Sequence, residues 1–380
     1  MNFEEHASKA LLSVAGINVP DGKVARTPDE AFEVASDLGR VVIKAQVPIG
    51  KRGKAGGIQL ANTPDEARVH ATNIIGMMIG GFEVECVLVE KQFNIAKEFY
   101  AAVLNDPITK GPIVMFSTEG GMDIEEIASS RPERLKKLEV DIRKGCDETS
   151  ILTLLRGLSL GDAKSSIADI LLRLFSVYQE NDAELLEINP LVLTDQGKII
   201  ALDCKFVMDD SGLKRQIELV KQGTPEKLSR LELKGDVNSI KYIELEGNIG
   251  VLANGAGLTM TTMDVIRHYG GKPANFCEIG GEAYTKAKFA LELVLEKPGI
   301  RSLVVNFCGA FARCDVMMEG LLNAWEELQP DLPVFFSIAG TGDQEAIAML
   351  KDRLGIEPFV DMDAASKAAV EAVESIGETL

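Results

Sequence analysis

The stretch from Leu185 to Lys205 holds two apolar-rich runs on either side of Thr194-Asp195-Gln196-Gly197. That composition predicts a β-hairpin. Centring its loop on Gln196 sets Asn189 opposite Asp203. Side chains two apart on a strand share a face, so Glu187, Asn189, Asp203 and Lys205 should all point the same way. Oxygen donors beside a lysine on one sheet face suit Mg²⁺ and polyphosphate. Taken alone, the hairpin equally fits a solvated face with cross-strand charge pairs.

Three further groups could do chemistry. Lys44 precedes Gly50-Lys51-Arg52-Gly53-Lys54-Ala55-Gly56-Gly57. Glycines there let backbone N–H groups approach a phosphate, and the cations offset its charge. The run is neither a Walker A motif nor a dinucleotide fingerprint, and by itself it also reads as a solubilising hairpin tip. Glu90 and Glu98 stand on two strand-like segments, where acids can bind a ribose hydroxyl, assist a metal or simply face solvent. Last come the loops Asn254-Gly255-Ala256-Gly257, Cys308-Gly309-Ala310 and Ala339-Gly340-Thr341-Gly342.

Those last loops define the elements around them. Each follows an apolar run (249–253, 303–307, 334–338) and precedes a helical pattern, so the C-terminal part predicts a parallel, doubly wound sheet with its ligand crevice at the carboxyl ends of the strands. Exposed N–H groups at the helix starts there favour anions. Upstream, Phe3, His6, Ala7, Ala10, Leu11 and Val14 space out one apolar face of a helix over residues 2–15. Thr27-Pro28-Asp29-Glu30 and Thr63-Pro64-Asp65-Glu66 open two more helices. Residues 40–47 and 58–60 read as strands, 86–90 and 99–104 as two antiparallel strands, and 164–180 as an amphipathic helix. Residues 209–238 are polar and charged, which suits a linker or a peripheral helix between domains.

Composition narrows the function. The chain has 380 residues, a net charge of −18, and 46% apolar residues. Two or three domains are expected at that length. An acidic surface repels nucleic acid and anionic lipid, so neither is an expected partner. No apolar run is long enough to span a membrane, and the first twenty residues do not read as a signal peptide. Six cysteines without CxxC spacing fit buried thiols in a reducing cytoplasm.

In order, Lys44, Arg52-Gly53-Lys54-Ala55-Gly56-Gly57, Ser117-Thr118-Glu119-Gly120-Gly121, Glu187-Ile188-Asn189-Pro190-Leu191, Leu202-Asp203, Asn254-Gly255-Ala256-Gly257 and Arg313-Cys314-Asp315 resemble the β subunit of succinyl-CoA synthetase over nearly the whole chain. The resemblance implies an ATP-grasp nucleotide-binding domain (1–235) followed by a flavodoxin-like CoA-ligase domain (239–380). It implies an acid–thiol ligase that uses ATP or GTP with Mg²⁺ to join a small organic acid to coenzyme A, through an acyl phosphate and a phosphohistidine. Lys44, Lys51, Arg52, Gly53 and Lys54 would then hold nucleotide phosphates, with Glu90 near the nucleoside and Glu98 near the phosphates. Asn189 and Asp203 would hold Mg²⁺, Glu187 would stabilise the phosphohistidine, and Asn254, Gly309, Ala310, Phe311 and Ala312 would receive the acid's carboxylate.

None of the three histidines, His6, His70 and His268, falls in a Gly-rich loop. They read as packing or surface residues. The phosphorylated histidine must then come from another chain, and the resemblance implies that an α subunit carries it together with most of the CoA site, in an αβ or α2β2 complex. Three stretches depart from the family pattern. Pro48-Ile49-Gly50-Lys51 stands where His-Ala-Gly-Gly is usual, and Phe307-Cys308-Gly309-Ala310-Phe311-Ala312 where Phe-Gly-Gly and an aliphatic residue are usual. Cys277-Glu278 with Glu282 alters the segment beside the same crevice. Succinate is the expected acid, with malate or a carboxylate–sulfonate such as sulfoacetate as alternatives. A non-catalytic nucleotide-binding subunit is the alternative of another class.

Overall fold

The computed structural model describes residues 1–122, 124–279 and 283–377. The chain divides into two compact units, Met1–Glu226 and a second beginning at Lys227. No helix among the described residues is long and apolar enough to cross a membrane.

The first unit opens with α1 (Glu5–Val14), β1 (Gly22–Ala25), α2 (Pro28–Leu38), β2 (Val41–Ala45), β3 (Ile58–Ala61) and α3 (Pro64–Ile74). Both Thr-Pro-Asp-Glu runs start helices as expected. The Thr27 and Thr63 hydroxyls accept from the Glu30 and Glu66 N–H groups at 3.2 Å, satisfying donors that the first turn leaves free. A short hairpin, β4 (Met78–Ile79) and β5 (Phe82–Glu83), leads to β6 (Val87–Lys91). The antiparallel order is β1-β6-β2-β3, and α2 and α3 cover one face through Ala31, Val34, Ala67 and Ala71.

A second sheet is built from β7 (Ile95–Asp106), β8 (Gly111–Ser117), β9 (Leu135–Glu139), β10 (Ala183–Thr194), β11 (Ile199–Ala201) and β12 (Lys205–Met208). Its order is β11-β10-β7-β8-β9, with β12 also on β10. Between these strands lie α4 (Ile124–Ser130), α5 (Glu148–Leu154) and α6 (Ala163–Glu180). Helix α6 presents Ile167, Ile170, Leu171, Leu174, Val177 and Tyr178 to the sheet, a 3.6-residue period meeting the two-residue period of Phe99, Ala101 and Val103. The strands at 86–90 and 99–104 exist, but they do not pair with each other. β6 belongs to the first sheet, and β7 pairs with β10 and β8 in the second.

Helix α1 also differs from its apolar reading. Phe3 and Ala7 are buried, but Val14 is 91% exposed and Ala10 faces solvent. The face turned inward carries Glu5, Ser8, Lys9 and Leu12. Its charged pair is buried because counter-ions come from elsewhere in the unit.

After the short helix α7 (Ile217–Val220), the second unit begins with α8 (Arg230–Val237), closed by a capping box between Ser229 and Glu232. Leu231 of α8 lies in the second unit's core. Then come β13 (Tyr242–Glu244), β14 (Ile249–Ala253), α9 (Ala256–His268), β15 (Asn275–Cys277), α10 (Ala283–Glu296), β16 (Ser302–Gly309), α11 (Cys314–Leu328), β17 (Val334–Gly340), α12 (Asp343–Leu354) and α13 (Met362–Gly377). β14, β16 and β17 are parallel. Parallel bridges from Ala253 to Glu278 and from Ser337 to Phe359 extend the sheet on both sides. Counted along the chain from β14, the parallel order is 2-1-3-4-5, the flavodoxin-like arrangement. Val251 and Val304 pack toward α9 and α13, while Leu252, Leu303 and Val305 pack toward α10, α11 and α12. The three β–loop–α units therefore stand where the sequence places them.

Candidate functional site

The hairpin keeps one register throughout. Leu191 pairs with Ala201 and Glu187 with Lys205, so Asn189 stands opposite Asp203 in the short break between β11 and β12. Against β7 the register slips between Ile188 and Leu191, where Asn189 and Pro190 together face the single residue Tyr100. Such a bulge re-aims side chains. Glu187, Asn189, Asp203 and Lys205 all line one cavity of about 420 Å³. The loop residues Lys51, Arg52, Gly53 and Lys54 line it too, as do Pro48 and Ile49 of the first departure from the family pattern.

The loop itself is closed by short turns. Ala55 and Gly57 N–H groups donate to Arg52 O, and Gly56 N–H to Gly53 O. None of these donors belongs to the stretch Lys51–Lys54 expected to face phosphate. Lys51 takes a left-handed φ of 63°, a conformation costly for a side chain outside glycine.

Beneath the cavity lies a buried ionic cluster. The Lys44 ammonium meets Glu5 Oε1 at 2.8 Å, Glu90 Oε2 at 2.8 Å and Leu202 O at 2.5 Å. Lys9 uses the same three acceptors, at 2.7 Å from Glu5 Oε1, 2.6 Å from Glu90 Oε1 and 2.8 Å from Leu202 O. The Arg52 guanidinium spans Glu5 Oε2 at 2.7 Å and both Asp203 oxygens at 2.7 and 2.9 Å. Burial acts to raise the Glu5 carboxyl, but Lys44, Lys9 and Arg52 outweigh it and hold the group well below the usual carboxylate range. Burial acts to lower Lys44 and Arg52, and the facing carboxylates raise both above their ordinary values. Glu5, Lys44 and Arg52 are thus each held in the charged form at neutral pH.

Asp203 is the outlet of this cluster. Its side chain is 31% exposed, against 1% for Glu5 and 4% for Glu90. Lys44 and Glu90, by contrast, are turned into the cluster and are not among the cavity's lining residues. Asn189 holds a neighbouring loop: its Oδ1 accepts from Gly121 N–H at 2.8 Å and its Nδ2 donates to Met122 O at 3.0 Å. Glu98 reaches the same loop. A Cβ at Gly121 would stand 2.1 Å from Glu98 Oε2, and at Gly120 it would stand 2.3 Å from Phe99 O. The Gly120 obstacle is backbone and cannot swing aside. Gly120→Ala is therefore expected to displace the loop from Asn189, with a loss of about 1–3 kcal/mol in stability and a raised nucleotide Michaelis constant. Denaturant titration alongside steady-state kinetics checks both; an unchanged Michaelis constant would separate this loop from the site.

In the second unit the switch point falls between β14 and β16, and Asn254 spans it. Its Oδ1 accepts from Cys308 N–H at 2.7 Å and its Nδ2 donates to Cys308 O at 2.9 Å. The two following strand ends approach so closely that a Cβ on Gly309 would lie 2.3 Å from Thr341 O. Ala310 N–H closes onto Ala312 O at 3.1 Å, and Phe311 stands fully exposed at the loop tip. Arg313 pairs bidentately with Asp315 at the start of α11. Cys277 is buried and Glu278 half-buried; Glu282 lies outside the described residues.

The three histidines keep apart from these features. His6 Nδ1 lies 3.2 Å from Gln46 Oε1, His268 is edge-on to Tyr269, and His70 is half-buried on α3. None of them lines the cavity. Glu5 and Lys9 are the site residues that apolar periodicity passes over. Their only signal is their i, i+4 spacing, a pattern that solvated helices share.

Fold and site together define an ATP-grasp protein joined to a CoA-ligase domain, and family comparison agrees. The ATP-grasp family model matches residues 2–193 and the CoA-ligase model residues 252–374. The chain is 42% identical over 355 residues to the succinate–CoA ligase (GDP-forming) subunit beta of Thermus thermophilus, covering 93% of this chain and 94% of that protein. It is 39% identical over 379 residues to the ADP-forming subunit beta of Roseiflexus sp. (strain RS-1), covering 99% and 100%. Among solved structures, ATP citrate lyase from Methanothrix soehngenii in complex with citrate and coenzyme A superposes with a TM-score of 0.71. At 22% identity over 98% of this chain and 99% of that one, the likeness speaks for the fold. The chain belongs to the succinate–CoA ligase β-subunit family.

Proposed function

We propose that this chain is the nucleotide-handling subunit of a succinate–CoA ligase, acting in the cytoplasm with an α subunit in an αβ or α2β2 complex. The observation that carries the reading is the convergence on one cavity of the Gly/Lys loop and the hairpin oxygens, each singled out independently by residue type. Lys44, Arg52 and the loop Lys51–Lys54 would bind the phosphates of ATP or GTP. Glu98 would lie toward the phosphates, whereas Glu90, turned into the ionic cluster and off the cavity wall, would act on the nucleotide only through Lys44. The donor set of Asp203 carboxylate and Asn189 amide oxygen is all hard oxygen and fits Mg²⁺, which when bound neutralises charge on the transferring phosphoryl group. Arg52 holds both Asp203 oxygens, so taking up Mg²⁺ there requires the guanidinium to let go, and polyphosphate offers it a second anion.

Glu187 stands on the cavity wall and would stabilise a phosphohistidine brought by the α subunit, which would also carry most of the CoA site. Asn254 fixes the Cys308 backbone, and the turn Gly309–Ala312 would receive the acid's carboxylate. Phe311 then sits at the rim of the acid site. Phe311→Ile is expected to change the ratio of kcat/KM between succinate and malate by about fivefold, roughly what one side chain's packing is worth in a specificity pocket, while the nucleotide Michaelis constant stays put. An unchanged acid profile would take selectivity away from this loop.

The reading is tested by phosphoryl labelling. With Mg²⁺ and terminally labelled ATP or GTP, but neither acid nor CoA, label should accumulate on the partner subunit alone. Label retained on this chain would place a phosphorylated group here and overturn the division of labour.

A further inference from the structure

We infer that Lys9 is a resident counter-ion whose charge lets Lys44 and Arg52 leave the buried carboxylates for a nucleotide's phosphates. The inference rests on the nucleotide reading above and assigns Lys9 a positioning role within it. The cluster is balanced as it stands, with Lys9, Lys44 and Arg52 facing Glu5, Glu90 and Asp203. Its members differ in access. Glu5, Arg52 and Asp203 line the cavity, whereas Lys9 does not, and the Lys9 side chain is 5% exposed. Lys9 and Lys44 share Glu5 Oε1, the Glu90 carboxylate and Leu202 O at 2.5–2.8 Å.

This duplication has a consequence for binding. If Lys44 and Arg52 swing to polyphosphate while Lys9 stays, Glu5 and Glu90 keep a hydrogen-bonded cation between them. Without Lys9, the same movement strands two buried carboxylates, which is strongly unfavourable. Lys44 and Arg52 would then be held back in the cluster. Lys9 therefore acts through other residues and need not touch the nucleotide.

The test is a charge cycle on the full chain co-purified with its partner, read as calorimetric Kd for Mg·ADP and Mg·GDP. Lys9→Met should weaken binding of the preferred nucleotide by about 10²-fold, the scale of an uncompensated buried charge. Glu5→Gln, which loosens the hold on Lys44 and Arg52, should tighten it by several-fold. The double variant restores the balance and should bind within about threefold of the unaltered complex, a non-additivity expected of directly interacting groups. Lys9→Arg, which keeps the charge, should recover most of the loss. A merely structural lysine gives the opposite pattern, with both single changes weakening binding and the double variant weakest of all. That pattern, or unchanged binding in Lys9→Met, overturns the inference alone. If Lys9→Met does not fold, Glu5→Gln decides: tighter binding supports the inference and weaker binding overturns it. Failure of the unaltered complex to bind either nucleotide overturns the nucleotide reading, and this inference with it.

Discussion

Asp203→Ala should lower nucleotide-dependent turnover by about 10²–10³-fold, the scale of losing one pre-placed electrostatic group at a reacting centre, while leaving the fold intact. The side chain is partly exposed, at 31%, and it sits in the short break between β11 and β12, where no ladder bond depends on it. Its loss removes the carboxylate from the proposed Mg²⁺ site. It also leaves Arg52 with Glu5 as its remaining ionic partner, drawing the guanidinium back into the cluster and away from the cavity. Circular dichroism and thermal unfolding should show a shift of a few degrees at most. Kinetics on the variant complex read the rest, and turnover within a fewfold of the unaltered enzyme would remove Asp203 from the metal site.

Lys44→Met should be as damaging to turnover and more so to stability. The lysine is buried and bound to three acceptors. Removing one member of a buried ionic set costs about 3–5 kcal/mol. The lower end is expected, because Lys9 remains on the same oxygens. Loss of the charge that would move to phosphate should reduce kcat/KM for nucleotide by about 10²–10³-fold and leave the Michaelis constants for acid and CoA nearly unchanged. Denaturant titration and kinetics separate the two effects. Equal losses for nucleotide, acid and CoA would mean that Lys44 supports the fold and has no specific part in phosphate binding.

Where local rules agree with the tertiary structure, the sequence was readable. The paired Thr-Pro-Asp-Glu caps mark helix starts through hydrogen bonds made within three residues. The hairpin register follows from its turn, so Asn189 and Asp203 could be set opposite each other by counting outward from Gln196. In the second unit, strand–loop–helix alternation leaves little choice of topology once crossovers are right-handed. Other features depend on residues far away. Glu5 and Lys9 break the apolar pattern of α1, and they are buried because Lys44, Arg52, Glu90 and Leu202 come to meet them, the last 193 positions from Lys9. Apolar periodicity cannot register a buried charge whose partner lies on another strand. β6 and β7 are neighbours in sequence, yet β7 is claimed by β10, with Leu104 opposite Leu185. Composition does not reveal such a switch of sheet. The Gly309–Ala312 turn was legible as a turn, while the full exposure of Phe311 at its tip was not, since an aromatic residue is usually read as core.

The most direct measurement is acyl-CoA formation by this chain with and without its α partner, given nucleotide, Mg²⁺ and CoA and a panel of succinate, malate, sulfoacetate and longer dicarboxylates. The expected result is thioester formation that requires the partner, the nucleotide and CoA together, with succinate the best acid. Turnover by this chain alone, or acyl transfer to an amine without CoA, would contradict the assignment of this subunit.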